Sequence, residues 1–178
     1  MLYPTGTPTK PEIVAIALSK LNIESTDVFV DIGCGSGSVS IAASKLAGHV
    51  FAIDNRDDAI NATSENIKEC GIKNISIIKG DAAILLSDID MDCAFIGGSK
   101  NIKQVLEILI KKKKKPQGRF VVNAVKIETV AIAMEIMKRN NCLKQLIQIQ
   151  ISRGNELAGG TMFKPENPIF LVVGGIKC

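Results

Sequence analysis

The chain has one histidine, His49, no tryptophan and one tyrosine. A single imidazole rules out a multi-histidine metal set. The five cysteines, Cys34, Cys70, Cys93, Cys142 and Cys178, include no C-x-x-C and no Cys/His pair, so no metal site is expected. Odd in number and scattered, they argue against a disulfide scaffold and for a reducing, cytoplasmic setting. Aromatics make up 4% of the residues, which leaves a core of Ile, Val, Leu and Ala and little with which to stack on bases. No uncharged apolar run is long enough for a membrane span. Pro4 and Pro8 interrupt the N-terminus and no apolar stretch follows Met1, so no signal-peptide pattern is expected. The net charge of +4 admits an anionic partner without requiring nucleic acid. No repeat and no second domain are evident, and 178 residues suffice for one domain with a sizeable core.

Residues 28–37, Val-Phe-Val-Asp-Ile-Gly-Cys-Gly-Ser-Gly, are the most informative stretch. Val28 to Ile32 reads as a buried parallel strand. It breaks into Gly33, Gly35 and Gly37, which let the backbone turn sharply and a ligand lie on bare main chain. A second apolar run, Val50 to Ile53, ends in Asp54. This suits a nucleoside-bearing cofactor, with the loop under its polar tail and the carboxylate on its ribose. Dinucleotide sites prefer G-x-G-x-x-G. Here the spacing is G-x-G-x-G behind Asp31. A carboxylate there opposes a pyrophosphate and suits an ammonium or a sulfonium. The loop resembles motif I of class I S-adenosylmethionine (SAM) methyltransferases.

Helix and strand patterns alternate along the chain. Thr9-Lys10-Pro11-Glu12 reads as a capping box ahead of a helix with Ile13, Ile16, Ala17 and Leu21 on one face. Strands are expected at 28–32, 50–54, 75–79, 93–96 and 119–123, with helices at 40–46, 56–70, 100–113 and 128–140 and a short one after Asp81. Asn55 can cap the second of these. The alternation from Lys144 to Ile151 predicts a half-exposed strand. A glycine-rich loop, 154–160, leads to a last strand at 168–174. A strand–loop–strand ending suits an antiparallel pair at a sheet edge. The expected fold is a single α/β domain: a doubly wound, Rossmann-like sheet of seven strands with an antiparallel terminal strand, as in class I SAM methyltransferases.

Such a cofactor lies across the carboxyl ends of the first three strands. Gly33, Cys34, Gly35, Ser36 and Gly37 are expected at its methionine part and Asp54 at the ribose hydroxyls. Asp81 and Ala82 are expected at the adenine, with Asp81 alternatively an N-cap. After the fourth strand the chain reads Ile96-Gly97-Gly98-Ser99. It lacks the Asn/Asp-Pro-Pro-aromatic motif of enzymes that methylate base amines. The diglycine either lets backbone approach a bulky planar acceptor or the sulfonium region, or simply turns the chain. Methyl transfer to an electron-rich carbon needs alignment and exclusion of water more than a strong base. The run Lys111–Lys115 reads as a solvated helix end. As an electrostatic track it would instead suit a tRNA or rRNA base methyltransferase of the same fold.

These segments, with Pro8-Thr9-x-x-Glu12 and Ser152-Arg153-Gly154…Gly160-Thr161-Met162-x-x-x-x-Asn167-Pro168, closely resemble the CbiT family. Its members are decarboxylating cobalt-precorrin-6B C15-methyltransferases of anaerobic cobalamin synthesis. The resemblance implies SAM contacts at Thr9, Gly33 to Gly37, Asp54 and Ala82, and a homotetramer. It also implies a tetrapyrrole-derived acceptor, methylated on a bridging carbon with loss of carbon dioxide from a ring acetate. Such an acceptor carries many carboxylates, which makes Arg153 a substrate-binding candidate because guanidinium grips carboxylate at two points. Lys126, Lys164, Gly97, Gly98 and Ser99 are further candidates; for the two lysines, ordinary surface solvation is the competing reading. Glu128 either orients a neighbour or caps its helix. Val14 stands where many members carry arginine, and Pro116-Gln117-Gly118 replaces Pro-Gly-Gly.

Overall fold

The computed structural model describes residues 1–4, 8–98, 100–112 and 118–175. Five parallel strands form first: β1 (Val28–Ile32), β2 (His49–Asp54), β3 (Ile75–Lys79), β4 (Cys93–Ile96) and β5 (Arg119–Ala124). The helices are α1 (Pro11–Leu21), α2 (Ser38–Ala43), α3 (Asp57–Glu69), α4 (Ala82–Leu85), α5 (Ile102–Lys111) and α6 (Ile127–Arg139). Four further strands follow: β6 (Leu143–Ile149), β7 (Ser152–Leu157), β8 (Gly160–Pro165) and β9 (Ile169–Gly175). The sheet order is β3-β2-β1-β4-β5-β9-β6. β9 runs antiparallel to both β5 and β6. The expected doubly wound seven-stranded sheet with one reversed strand is therefore present.

The sheet is apolar on both faces because helices cover both. Val30, Ile32, Ile96, Phe120 and Val122 pack beneath α5 and α6. Phe29, Val50, Phe95, Val121 and Leu171 pack beneath α1 and α2. Among the described residues no helix is long and apolar enough to cross a membrane.

Three expectations need correction. Thr9 does not cap α1. The residue before the helix is Lys10, extended at φ −65° and ψ 147°, and no side chain caps it. A residue preceding proline is pushed out of the helical region, so the helix begins at Pro11 itself. Asn55 does not cap α3 either; the extended residue before that helix is Arg56, and its N–H goes to Asp54 Oδ1 at 3.1 Å.

The expected loop at 154–160 is most of a hairpin. β7 pairs with β8 so that Leu157 faces Gly160. Ala158 and Gly159 between them both have positive φ, 49° and 80°. A two-residue turn of this hand matches the natural twist of paired strands. The hairpin is a separate two-stranded sheet, and every residue in it is exposed.

Candidate functional site

The carboxyl ends of β1 to β5 and the start of β9 open into one cavity of about 890 Å³. Gly33, Cys34, Gly35 and Ser36 form its floor, Asp54 and Arg56 one wall, and Asp81 and Ala82 the far end. Gly97, Gly98, Lys100 and Asn101 follow β4, while Asn123, Asn167 and Ile169 lie on the opposite side. Pro4, Pro8, Thr9 and Lys10 of the N-terminal segment line it as well.

Crossed backbone bonds hold the floor. Gly33 and Cys34 donate their N–H groups to Ile53 O at 2.8 and 3.0 Å, and Gly97 and Gly98 donate theirs to Ile32 O at 2.8 and 3.2 Å. Gly33 has φ +78°, and a Cβ built there would lie 2.7 Å from Gly98 N. The diglycine thus packs main chain against main chain, which only residues without side chains allow at that distance. At Gly35, φ +57°, no atom beyond its chain neighbours lies within 4 Å of such a Cβ; its bare face opens on the cavity. Gly37 does not line the cavity. It precedes α2 at φ 75°, and a Cβ there would meet Thr63 Cγ2 at 2.9 Å.

α3 braces the loop from behind through two polar side chains absent from the sequence reading. Thr63 and Asn66 are fully buried. Thr63 Oγ1 donates to Gly35 O at 2.9 Å, and Asn66 Nδ2 donates to Ser36 O at 2.9 Å. The same amide exchanges bonds with Leu2: Leu2 N donates to Oδ1 at 2.6 Å and Nδ2 donates to Leu2 O at 2.8 Å. This ties the chain terminus over the loop. Polar residues three apart on a buried helix face were the available signal.

Asp54 is almost wholly buried. Its Oδ2 accepts from Gly35 N at 3.0 Å, and its Oδ1 accepts from the Arg56 backbone N–H and from Nε at 3.1 and 3.3 Å. The carboxylate therefore both fixes the loop and faces the cavity. Arg56 escaped the sequence reading. Asp81 caps α4 through Ala83 N at 2.9 Å, and its Oδ2 accepts from Asn101 Nδ2 at 2.9 Å. The N-cap alternative is thus realised, and Asp81 still borders the cavity.

Asp31 lies directly behind the loop with no exposed surface. Ser40 Oγ donates to its Oδ2 at 2.6 Å, while Oδ1 has no partner among the described residues. Burial, with a lesser contribution from Asp54, raises its pKa to about 7. A cation seated on the loop would relieve that cost. Burial likewise pushes the Cys34 thiol up to about 12, so it stays neutral and is no nucleophile.

Of the substrate candidates, Gly97 and Gly98 line the cavity, whereas Arg153, Lys126 and Lys164 do not; Ser99 lies outside the described residues. Arg153 is held by Glu12 at 2.6 and 3.1 Å and by Glu166 at 3.3 Å. Glu166 lines the cavity and is also paired with Lys10 at 2.5 Å. These contacts hold the Glu12 and Glu166 carboxyls below their ordinary range, the first through Arg153 and the second chiefly through Lys10. Of the lysine run, Lys113 to Lys115 lie outside the described residues; Lys112 Nζ donates to Ile89 O at 2.7 Å.

A family model for the precorrin methyltransferase domain matches residues 3–173. The chain belongs to this family. It is 48% identical over 176 residues to a probable cobalt-precorrin-6B C(15)-methyltransferase (decarboxylating) of Methanosarcina acetivorans, covering 96% of this chain and 94% of the relative. The crystal structure of a precorrin 8W decarboxylase from Methanobacterium thermoautotrophicum is similar with a TM-score of 0.90. It is 32% identical and covers 99% of this chain and 100% of its own. A precorrin-6y C5,15-methyltransferase from Geobacter metallireducens also has a TM-score of 0.90. It is 28% identical, with 98% and 93% covered.

Two tests follow for this family member's loop. Gly33→Ala is expected to cost roughly 2 kcal/mol or more from left-handed strain and the clash with Gly98. Gly35→Ala is expected to cost about 1 kcal/mol or less, from strain alone. Urea midpoints check both, and equal losses contradict the packing account. Folded Asp31 keeps its proton up to about pH 7, against an ordinary value of 3.8. Its contribution is therefore full below about pH 4 and is lost as pH rises to 7, at up to about 1.4 kcal/mol per unit. Asp31→Asn is expected to flatten the stability profile across that window; an unchanged slope contradicts the assignment.

Proposed function

We propose that this protein uses SAM to methylate cobalt-precorrin-6B at C15 and removes carbon dioxide from a ring acetate, in anaerobic cobalamin synthesis. The observation that carries this reading is the cavity itself. A bare glycine floor backed by a buried carboxylate, with a second carboxylate at the end of the next strand, suits a cationic nucleoside donor. The full-length likeness to decarboxylating C15-methyltransferases supplies the acceptor.

The residues fit such a donor. Gly35 leaves an open face over the loop, and the unpartnered Asp31 Oδ1 lies where positive charge is welcome. Asp54 would accept from the ribose hydroxyls, and Asp81 with the Ala82 N–H would meet the adenine. Thr9, on the N-terminal segment, would close over the methionine part. When bound, SAM supplies a methyl carbon already activated by its sulfonium. The protein then has to fix the angle between that carbon and the nucleophile and keep water out. The conjugated macrocycle serves as its own electron sink, so no strong base is required of the chain.

Arg153 would act on the acceptor side by fixing Glu166 at the rim and the hairpin base against Glu12. We further read the protein as a cytoplasmic homotetramer. The hairpin supports association, since it exposes Leu157, Met162 and Phe163, an apolar group that a monomer gains nothing by displaying.

Incubation with SAM and the cobalt-containing macrocycle, followed by mass analysis, tests the reaction. One methyl gained and one carbon dioxide lost are expected; a methylated RNA with an unchanged macrocycle contradicts it. For the donor site, Asp54→Ala is expected to weaken SAM binding by about tenfold to a hundredfold, because charge-assisted hydrogen bonds are lost. Asp54→Asn, which can still accept from Gly35, is expected to retain more. Wild-type affinity in the alanine variant by calorimetry contradicts the ribose assignment.

A further inference from the structure

Past the glycine loop the sheet rim continues through β4 and β5 to the start of β9. Ile32 pairs with Ile96, and Ile96 with Val122. One residue further on come Gly33, Gly97 and Asn123, all three of which line the cavity. Gly97 carries no side chain, so none stands in this row between the glycine loop and Asn123. A methyl donor seated on the loop therefore has Asn123 as its neighbour on the side away from the nucleoside.

Asn123, one residue before the end of β5, follows the buried run Phe120–Val122 and lines the cavity with Val125, Asn167 and Ile169. Its Oδ1 is buried with no hydrogen-bond partner among the described residues. Its Nδ2 makes no bond there either, and it is not buried. An amide left this way costs free energy, and such groups persist where a ligand satisfies them. Asn101 in the cavity and Asn66 behind the loop are bonded, and the cavity's remaining amides, Asn55 and Asn167, are exposed. Among the described amides that line the cavity, Asn123 is the one that is partly buried. Lys100 lines the same cavity. Arg56 and Lys10 there are paired with Asp54 and Glu166, whereas Lys100 makes no ion pair among the described residues.

We propose that Asn123 and Lys100 recognise the carboxylates of the acceptor: the Asn123 N–H holds the carboxylate that is lost, and Lys100 neutralises one that is kept. This rests on the acceptor class proposed above. Decarboxylation breaks the bond between the carboxylate carbon and its methylene. The electron pair passes into the conjugated ring, carbon dioxide leaves, and a proton from water completes the methyl group. A cation on the departing carboxylate would hold its electrons back, while a neutral amide orients it without that opposition. A retained carboxylate gains from full charge pairing.

Asn123→Ala and Lys100→Gln test the pair. Four readouts apply: melting temperature, SAM affinity by calorimetry, macrocycle binding by absorbance titration without SAM, and product mass. Asn123→Ala is expected to melt no lower than wild type and to bind SAM equally. It is expected to bind the macrocycle about tenfold to a hundredfold more weakly, as for a lost hydrogen bond to a charged group, and to release methylated product that still carries its carboxylate. Lys100→Gln is expected to weaken macrocycle binding with a flatter salt dependence, and to leave the ratio of decarboxylation to methylation unchanged. Macrocycle affinity and product ratio unchanged in Asn123→Ala refute the pair while leaving the proposed reaction intact. A lowered melting temperature with parallel loss of both ligands also refutes it, since Asn123 would then be structural. A wild-type protein that binds SAM and no macrocycle overturns the proposed acceptor, and the pair with it.

Discussion

The contact between Gly33 and the Gly97–Gly98 turn holds the site together. Three strand ends meet there, and the bonds run across them: from the loop to Ile53 on one side, and from the diglycine to Ile32 on the other. A side chain at residue 33 would force β1 and β4 apart where the loop must be narrowest. The floor of the cavity is therefore a property of the sheet, and it is stiff because parallel strands register it from both sides. Rigid placement of this kind suits a reaction in which the protein contributes alignment more than proton transfer.

Charge is arranged around that floor in layers. Asp31 sits behind it, buried and half satisfied. Asp54 sits beside it, tied to both the loop and Arg56. Farther out, Glu12, Arg153, Glu166 and Lys10 link the first helix to the base of the hairpin. The Arg153–Glu12 pair is exposed, so its value is geometric more than energetic, while the Lys10–Glu166 pair is partly buried. Together they set where Glu166 and Asn167, between the hairpin and β9, border the cavity. Both residues line it together with Asn123, near the end of β5.

Much of this was legible in the residues. The strand–glycine–helix signal at 28–37 and the carboxylate at 54 located the cavity, because backbone geometry there admits few residue types. The parallel strands were legible as short apolar runs, and the reversed β9 followed from a connection without a helix. What escaped depends on contacts distant in sequence. Thr63 and Asn66 look like ordinary polar residues of a helix until the loop is folded against them. The cap at Thr9 failed because the restriction imposed by Pro11 on Lys10 outweighs the Thr-x-x-Glu spacing. The hairpin was hidden because its two strands are exposed throughout and carry little of the apolar alternation that marks a strand. Arg153 was read as a substrate-binding residue, but it does not line the cavity, and the carboxylates it grips in this structure are Glu12 and Glu166.

The central claim is that the bare floor receives a nucleoside donor with its charged tail over Asp31 and its ribose at Asp54. A crystal structure of the complex with S-adenosylhomocysteine tests it most directly. The account predicts the amino acid part on Gly33–Ser36, the ribose hydroxyls within hydrogen-bond distance of Asp54 and the adenine against Ala82. A ligand bound in the reverse sense, or bound elsewhere with this cavity vacant, contradicts it.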